Sequence, residues 1–152
     1  MSEKENVVLI RRYFDEVLSG GNLDLADELM APSFAHKVHL FDDSHGLEVW
    51  KQLAHSIFDA LPDAHWVVEE ILAQGNRVAA RWTFSGTHTG GEWAGILATG
   101  SKLSTPYMSF FDIVDGKIAA ERTIGDSLDL WQQFGVVPPL DEMIQEAKSK
   151  QG

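Results

Sequence analysis

At Pro62-Asp63 the chain changes its hydrophobic period, and that change limits most tightly what it can fold into. Upstream, apolar residues recur at steps of three and four, as one face of a helix requires. Downstream, β-branched and aromatic residues run in strand-length stretches broken by turn residues. Helices followed by consecutive strands predict an α+β domain rather than a parallel sheet interleaved with helices. With 152 residues, 44% of them hydrophobic, one domain is enough to bury a core.

Ser2 and Glu5 fit a capping box ahead of Val7, Val8, Ile10, Phe14, Val17 and Leu18, and Gly20-Gly21 stops that helix. A short second helix is expected from Asn22 through Met30, ended by Pro32, and residues 33–41 read as a short strand or irregular segment. A third helix spans residues 46–61. Four strands follow, over residues 65–73, 77–87, 102–114 and 117–124, the last two joined at Asp115-Gly116. The loop at 90–100 holds four glycines. Residues 127–134 close the pattern as a helix. Past Gly135, a weak amphipathic helix carries Leu140, Met143, Ile144 and Ala147. The expected organisation is one domain over 1–135 with a C-terminal extension over 136–152. A curved antiparallel sheet wrapped around the N-terminal helices makes a cone. With five Trp and eight Phe, its interior is expected to be an apolar pocket for a small molecule.

Charge and motif content exclude several functions. Lys and Arg number 12 against 23 Asp and Glu, a net charge of −11, which disfavours nucleic acid and anionic membrane surfaces as partners. There is no Cys, hence no disulfide framework, thiolate nucleophile or zinc-thiolate site. No run approaches the roughly 18–20 apolar residues of a membrane span, and the charged start Met1-Ser2-Glu3-Lys4-Glu5-Asn6 is unlike a signal segment. A soluble, cytoplasmic protein is expected. The glycines match neither dinucleotide nor phosphate-loop spacing, and no serine elbow is present.

Several short segments, in order, resemble the SnoaL-like polyketide cyclases of the nuclear-transport-factor-two-like superfamily. They are Arg12-Tyr13-Phe14, Gly20-Gly21-Asn22-Leu23-Asp24, Phe34-Ala35-His36 and Leu61-Pro62-Asp63. The run Arg81-Trp82-Thr83-Phe84-Ser85-Gly86-Thr87-His88-Thr89-Gly90, then Asp115-Gly116-Lys117-Ile118 and Gly125-Asp126-Ser127-Leu128-Asp129-Leu130, complete the set. The resemblance covers about residues 8–135. It implies a cone-shaped α+β barrel, often dimeric, that binds hydrophobic carbonyl compounds and uses no metal or organic cofactor. It also implies an aldol ring closure with one Asp as acid/base, matching Asp126. Three positions depart from the family pattern: Glu121 and Ser109 stand where His is common, and Ala98 where Pro is usual.

Asp126 has two readings: a desolvated acid/base with raised pKa, or the N-cap of the closing helix, which would lower it. Glu121 and Arg122 are adjacent on a strand, so one points inward; counting by twos puts Arg122 on the face of Asp126. Arg122 inside would hold Asp126 ionised, whereas Glu121 inside would place two carboxylates in one pocket. His88 is a candidate second acid/base or donor to a substrate oxygen. His36 and His39 form H-x-x-H, but on a strand they face opposite sides; no metal is expected, with His36 lining the pocket and His39 outside. Tyr107 could donate to an oxyanion. The expected substrate-binding set is His36, Tyr13, Phe34, Trp50, Trp82, Trp93, Tyr107 and Phe110. Phe110 and Phe111 take opposite sheet faces, one toward the cavity and one toward a partner in a homodimer.

The leading expectation is a cofactor-independent acid/base enzyme, a cyclase or isomerase. Asp126 would move the proton while His88, with Glu121 or Arg122, stabilises the enolate. The alternatives are an epoxide hydrolase or dehydratase of the same fold, built on Asp126 and Arg122, or a non-catalytic binding or dimerisation module.

Overall fold

The structure, a computed structural model, describes residues 1–38 and 43–152. Helix α1 (Glu3–Arg12) starts at the expected capping box: the Glu5 N–H donates to the Ser2 hydroxyl, and the Ser2 N–H to the Glu5 carboxylate. The helix then widens. Tyr13–Leu18 winds as a π-helical turn, with the Ser19 N–H reaching back five residues to the Phe14 carbonyl. This wider winding carries Tyr13, Phe14, Val17 and Leu18 into the core together.

The second helix is shorter than expected. Asn22 caps a 3₁₀ turn (Leu23–Leu25), α2 (Ala26–Leu29) follows, and Met30 is already extended at the start of β1 (Met30–Val38). Pro32 disfavours the helical region for Ala31, so the helix ends before it. The end of the expected 33–41 segment, with His39, lies outside the described residues.

Next come β2 (Ser44–His45), α3 (Leu47–Ala60), β3 (His65–Gln74), β4 (Arg77–Thr87), β5 (Lys102–Val114) and β6 (Lys117–Gly125). The chain closes with α4 (Ser127–Gln133) and α5 (Leu140–Ser149). Strands β3 to β6 form an antiparallel meander, turned at Asp115-Gly116, where both residues have positive φ (49° and 74°) as a primed hairpin turn requires.

The expected wholly antiparallel sheet is corrected in one respect. The sheet has six strands in the order β2-β1-β6-β5-β4-β3, and β1 runs parallel to β6, so it is mixed and open at both edges. A parallel pair needs a long crossover, here everything from α3 through β5, and local turn signals cannot report it. The class is nevertheless α+β. The inward side chains of β3 to β6 and the buried faces of α1 and α3 share one core. No described helix is long and apolar enough to cross a membrane.

Candidate functional site

Strand parity decides which side chains enter the core. Along β5 burial alternates without a break: Leu103, Thr105, Tyr107, Ser109, Phe111 and Ile113 point in, while Pro106, Met108 and Phe110 point out. Strand β6 carries one extra residue, since Asp112 pairs with Ala120 while Ile113 pairs with Ile118. That bulge sets Glu121 and Thr123 inward beyond it and leaves Arg122 outside.

The parallel pairing of β1 with β6 places His36 opposite Glu121. His36 Nε2 lies 3.8 Å from Glu121 Oε2. The Tyr13 hydroxyl, delivered by the π turn, donates to the same oxygen at 2.8 Å. The Ser109 and Thr123 hydroxyls donate to Glu121 Oε1 at 3.0 and 2.9 Å and lie 2.6 Å from each other. The Trp82 indole N–H donates to Ser109 at 2.9 Å. Glu121 is only 2% exposed, so a carboxyl group sits inside the hydrophobic core with every nearby donor a side chain. Burial first, then the charge and hydrogen bond of Glu121, hold the Tyr13 phenol well above its ordinary pKa, opposed by a hydrogen bond from Trp50.

This network forms the polar end of a partly open cavity of about 100 Å³. Its walls are Leu18, Val38, Trp50, Leu53, Ala54, Ile57, Trp66, Trp82, Phe84, Trp93, Tyr107 and Leu130, with Tyr13, His36, Glu121 and Thr123 at the polar end. Trp82 and Tyr107 stack with centroids 4.6 Å apart. Tyr107 lies flat on Gly125, where any Cβ would overlap its ring. Burial, with the nearby charge of Asp126, pushes the Tyr107 phenol up to about 12. An apolar cavity of roughly 150 Å³ accepts benzene, so this chamber suits a guest of about one small ring.

Of the residues singled out from the sequence, Tyr13, His36, Trp50, Trp82, Trp93, Tyr107 and Glu121 line this cavity. Phe34 is buried behind them, stacked under His36 with centroids 6.0 Å apart. The other four lie elsewhere. Phe110 is 54% exposed on the outer sheet face, because the inward phenylalanine of that pair is Phe111. Arg122 is also outside, donating to both oxygens of Asp112 at 2.7 and 3.0 Å. Asp126 lies just past the end of β6, so the strand alternation that puts Arg122 outside does not extend to it. Its exposed carboxylate caps α4 by accepting the Asp129 N–H at 2.9 Å. The poorly hydrated carboxyl expected at Asp126 is found at Glu121.

His88 is fully buried and is not among the side chains that line the cavity. The Gly91 carbonyl can only accept, so Nε2 carries the proton and donates to it at 3.0 Å. Nδ1 accepts from the Thr99 N–H at 3.4 Å and from the Thr99 hydroxyl at 3.2 Å. The ring therefore cross-ties the two arms of the 89–101 loop and rests edge-on against Phe134. Sequence reasoning missed Ser109 and Thr123 as partners of Glu121; their inward parity on β5 and β6 was the available signal. Among the described residues, no three His, Asp or Glu side chains converge as a metal site.

A family model described as SnoaL-like polyketide cyclase matches residues 8–134. The fold is similar to that of a candidate SnoaL-like polyketide cyclase from Jannaschia sp. CCS1, at 26% identity and a TM-score of 0.81, over 90% of this chain and 95% of that one. It is also similar to AclR, a candidate hydroxylase from Streptomyces galilaeus, at 25% identity and a TM-score of 0.79, over 98% and 92% of the two chains. IdmH, a candidate polyketide cyclase from Streptomyces antibioticus, matches at 25% identity and a TM-score of 0.73, over 86% and 99%. No curated protein matches in sequence.

Proposed function

The chain belongs to the SnoaL-like polyketide cyclase family, and from that premise we propose that it is an acid/base enzyme acting on a compact hydrophobic carbonyl compound, with Glu121 as the proton-transfer group. One observation carries this reading: a 2%-exposed carboxyl stands at the end of an otherwise aromatic cavity, within 3.8 Å of a histidine. Such a group is stripped of water and held in one orientation, the two conditions a carbon acid demands of its base.

In this mechanism Glu121 removes the proton from the carbon beside the carbonyl. His36 and the Tyr107 hydroxyl are the cavity groups able to donate to the enolate oxygen. Tyr13 is a positioning residue: its phenol fixes Oε2 and, held above its ordinary pKa, stays a donor. In an isomerisation the proton returns to a different carbon. In an aldol closure the enolate carbon bonds to a second carbonyl carbon, and the resulting alkoxide takes the proton back from Glu121. The hydrolase alternative loses support, because it needs Arg122 beside Asp126 in the pocket and Arg122 is bound to Asp112 outside.

Solvent deuterium exchange tests this without knowledge of the natural substrate. Small cyclic and aryl ketones incubated in heavy water are followed by NMR for loss of the α-proton signal. The native chain should catalyse exchange, and Glu121→Gln should lose at least about 100-fold of it while keeping its circular dichroism. Binding without exchange would reduce the protein to a ligand-binding module. Exchange that survives Glu121→Gln but disappears in Asp126→Asn would return the role to Asp126.

A further inference from the structure

The groups that hold Glu121 supply hydrogen bonds but no counter-charge. The hydroxyls of Tyr13, Ser109 and Thr123 donate to its two oxygens, and a hydroxyl is a dipole, not a cation. Among the described residues one basic side chain, His36, comes within 4.0 Å of it, and at 3.8 Å its Nε2 is beyond hydrogen-bond distance. The described cavity wall includes neither Lys nor Arg. A buried charge is ordinarily paired with one of opposite sign.

Proton transfer does not supply the missing charge. When Glu121 takes a proton from carbon, its negative charge passes to the enolate, so the site carries one negative charge before the step and one after it. The rest of the wall has the chemistry that holds organic cations. Trp50, Trp66, Trp82, Trp93, Tyr13 and Tyr107 line it, and tryptophan is the strongest aromatic partner for a cation. Neighbouring wall rings are inclined to one another: Tyr13 to Trp50 by 40°, Trp66 to Phe84 by 56° and Phe84 to Trp93 by 59°. Inclined rings enclose a guest from several sides, as an aromatic cage does. Outside, the net charge of −11 draws cations toward the protein. A neutral guest would use the apolar surface of the rings and leave the carboxylate unopposed.

We propose that the compound this cavity takes carries its own positive charge: a compact amino carbonyl compound whose ammonium lies among the tryptophan rings, beside Glu121. That charge balances the carboxylate before proton transfer and the enolate after it. As a statement about a substrate this rests on the acid/base reading above. As a statement about binding it does not, because a cation can be held where no proton moves.

Benzylammonium and benzyl alcohol share one ring and one size and differ in charge. By titration calorimetry the native chain should bind the cation at least about tenfold more tightly, and the two should compete for one site. Glu121→Gln should abolish the preference while still binding the alcohol. A cation held only by the acidic surface would leave alcohol binding untouched and would survive Glu121→Gln; either result overturns the proposal. Competition is read on the native chain, so it decides even if the variant fails to fold. Equal affinities on the native chain would show that the wall already balances Glu121, and would also overturn it. Ketone exchange is read separately. Exchange without a preference for the cation removes this inference and keeps the acid/base reading, whereas preference without exchange keeps the cation site and removes the reaction.

Discussion

Tyr13 and Tyr107 are the only two phenols in the chain, and both are enclosed. Burial is the main cause of the raised pKa of each; for Tyr13 the neighbouring carboxyl of Glu121 adds to it, and for Tyr107 the charge of Asp126 does. An unfolded tyrosine titrates near pH 10, while folded Tyr107 titrates at about 12 and Tyr13 is held well above its ordinary value. A folded pKa above the unfolded one means that the native state keeps protons the unfolded chain would release. This stabilisation is complete below about pH 10 and is lost as pH rises toward 12 and beyond. Alkaline titration followed by phenolate absorbance should therefore show almost no ionisation at pH 10, then a rise that coincides with unfolding. Tyr107→Phe should move that unfolding to higher pH. A normal phenolate signal at pH 10 from the folded chain would contradict the burial described here.

At the scale of elements, the 89–101 loop owes its closed form to one imidazole. His88 reaches Gly91 on one arm and Thr99 on the other, and the loop carries Trp93 against Phe84 and Phe134. His88→Ala should raise hydrogen–deuterium exchange across residues 89–101 by at least tenfold while leaving β4 and β5 protected; unchanged loop protection would show that the ring is dispensable. The sequence made the meander legible, since strand lengths, the Asp115-Gly116 turn and the capping box at Ser2 are all local signals. It did not make three other features legible. The π turn at Tyr13–Leu18 is a departure of one residue in winding, invisible to a helical stripe. The parallel docking of β1 on β6 depends on distant residues. The extra residue on β6 sets which of Glu121 and Arg122 turns inward, and Asp126 lies beyond the strand's end, so counting by twos back from Asp126 could not report it. The candidate site was therefore half legible: the aromatic walls followed from composition and alternation, whereas the inward turn of Glu121 rather than Arg122 rested on a bulge.

For the molecule as a whole, charge acts with the cavity rather than apart from it. The chain carries a net −11, and among the described residues the cavity wall includes Glu121 but neither Lys nor Arg. The surrounding field repels anions, and among the described lining residues there is no Lys or Arg to compensate for their lost hydration. Benzamide should consequently quench the cavity tryptophans at lower concentration than benzoate of the same size, by at least tenfold at low salt. Equal quenching would show that the wall description is incomplete.

The parallel pairing of β1 with β6 has a last consequence, for the order in which competence arises. His36 enters from near the start of the chain and Glu121 from near its end, and contacts so distant in sequence carry the largest loop-closure cost and tend to form late. A partly assembled chain holding only the β3–β6 meander would already possess most of the aromatic walls and could trap a greasy guest, yet its acid and imidazole would not have met. Folding thus works as a gate: the walls can close around a guest before Glu121 and His36 meet, and only the finished topology brings those two together.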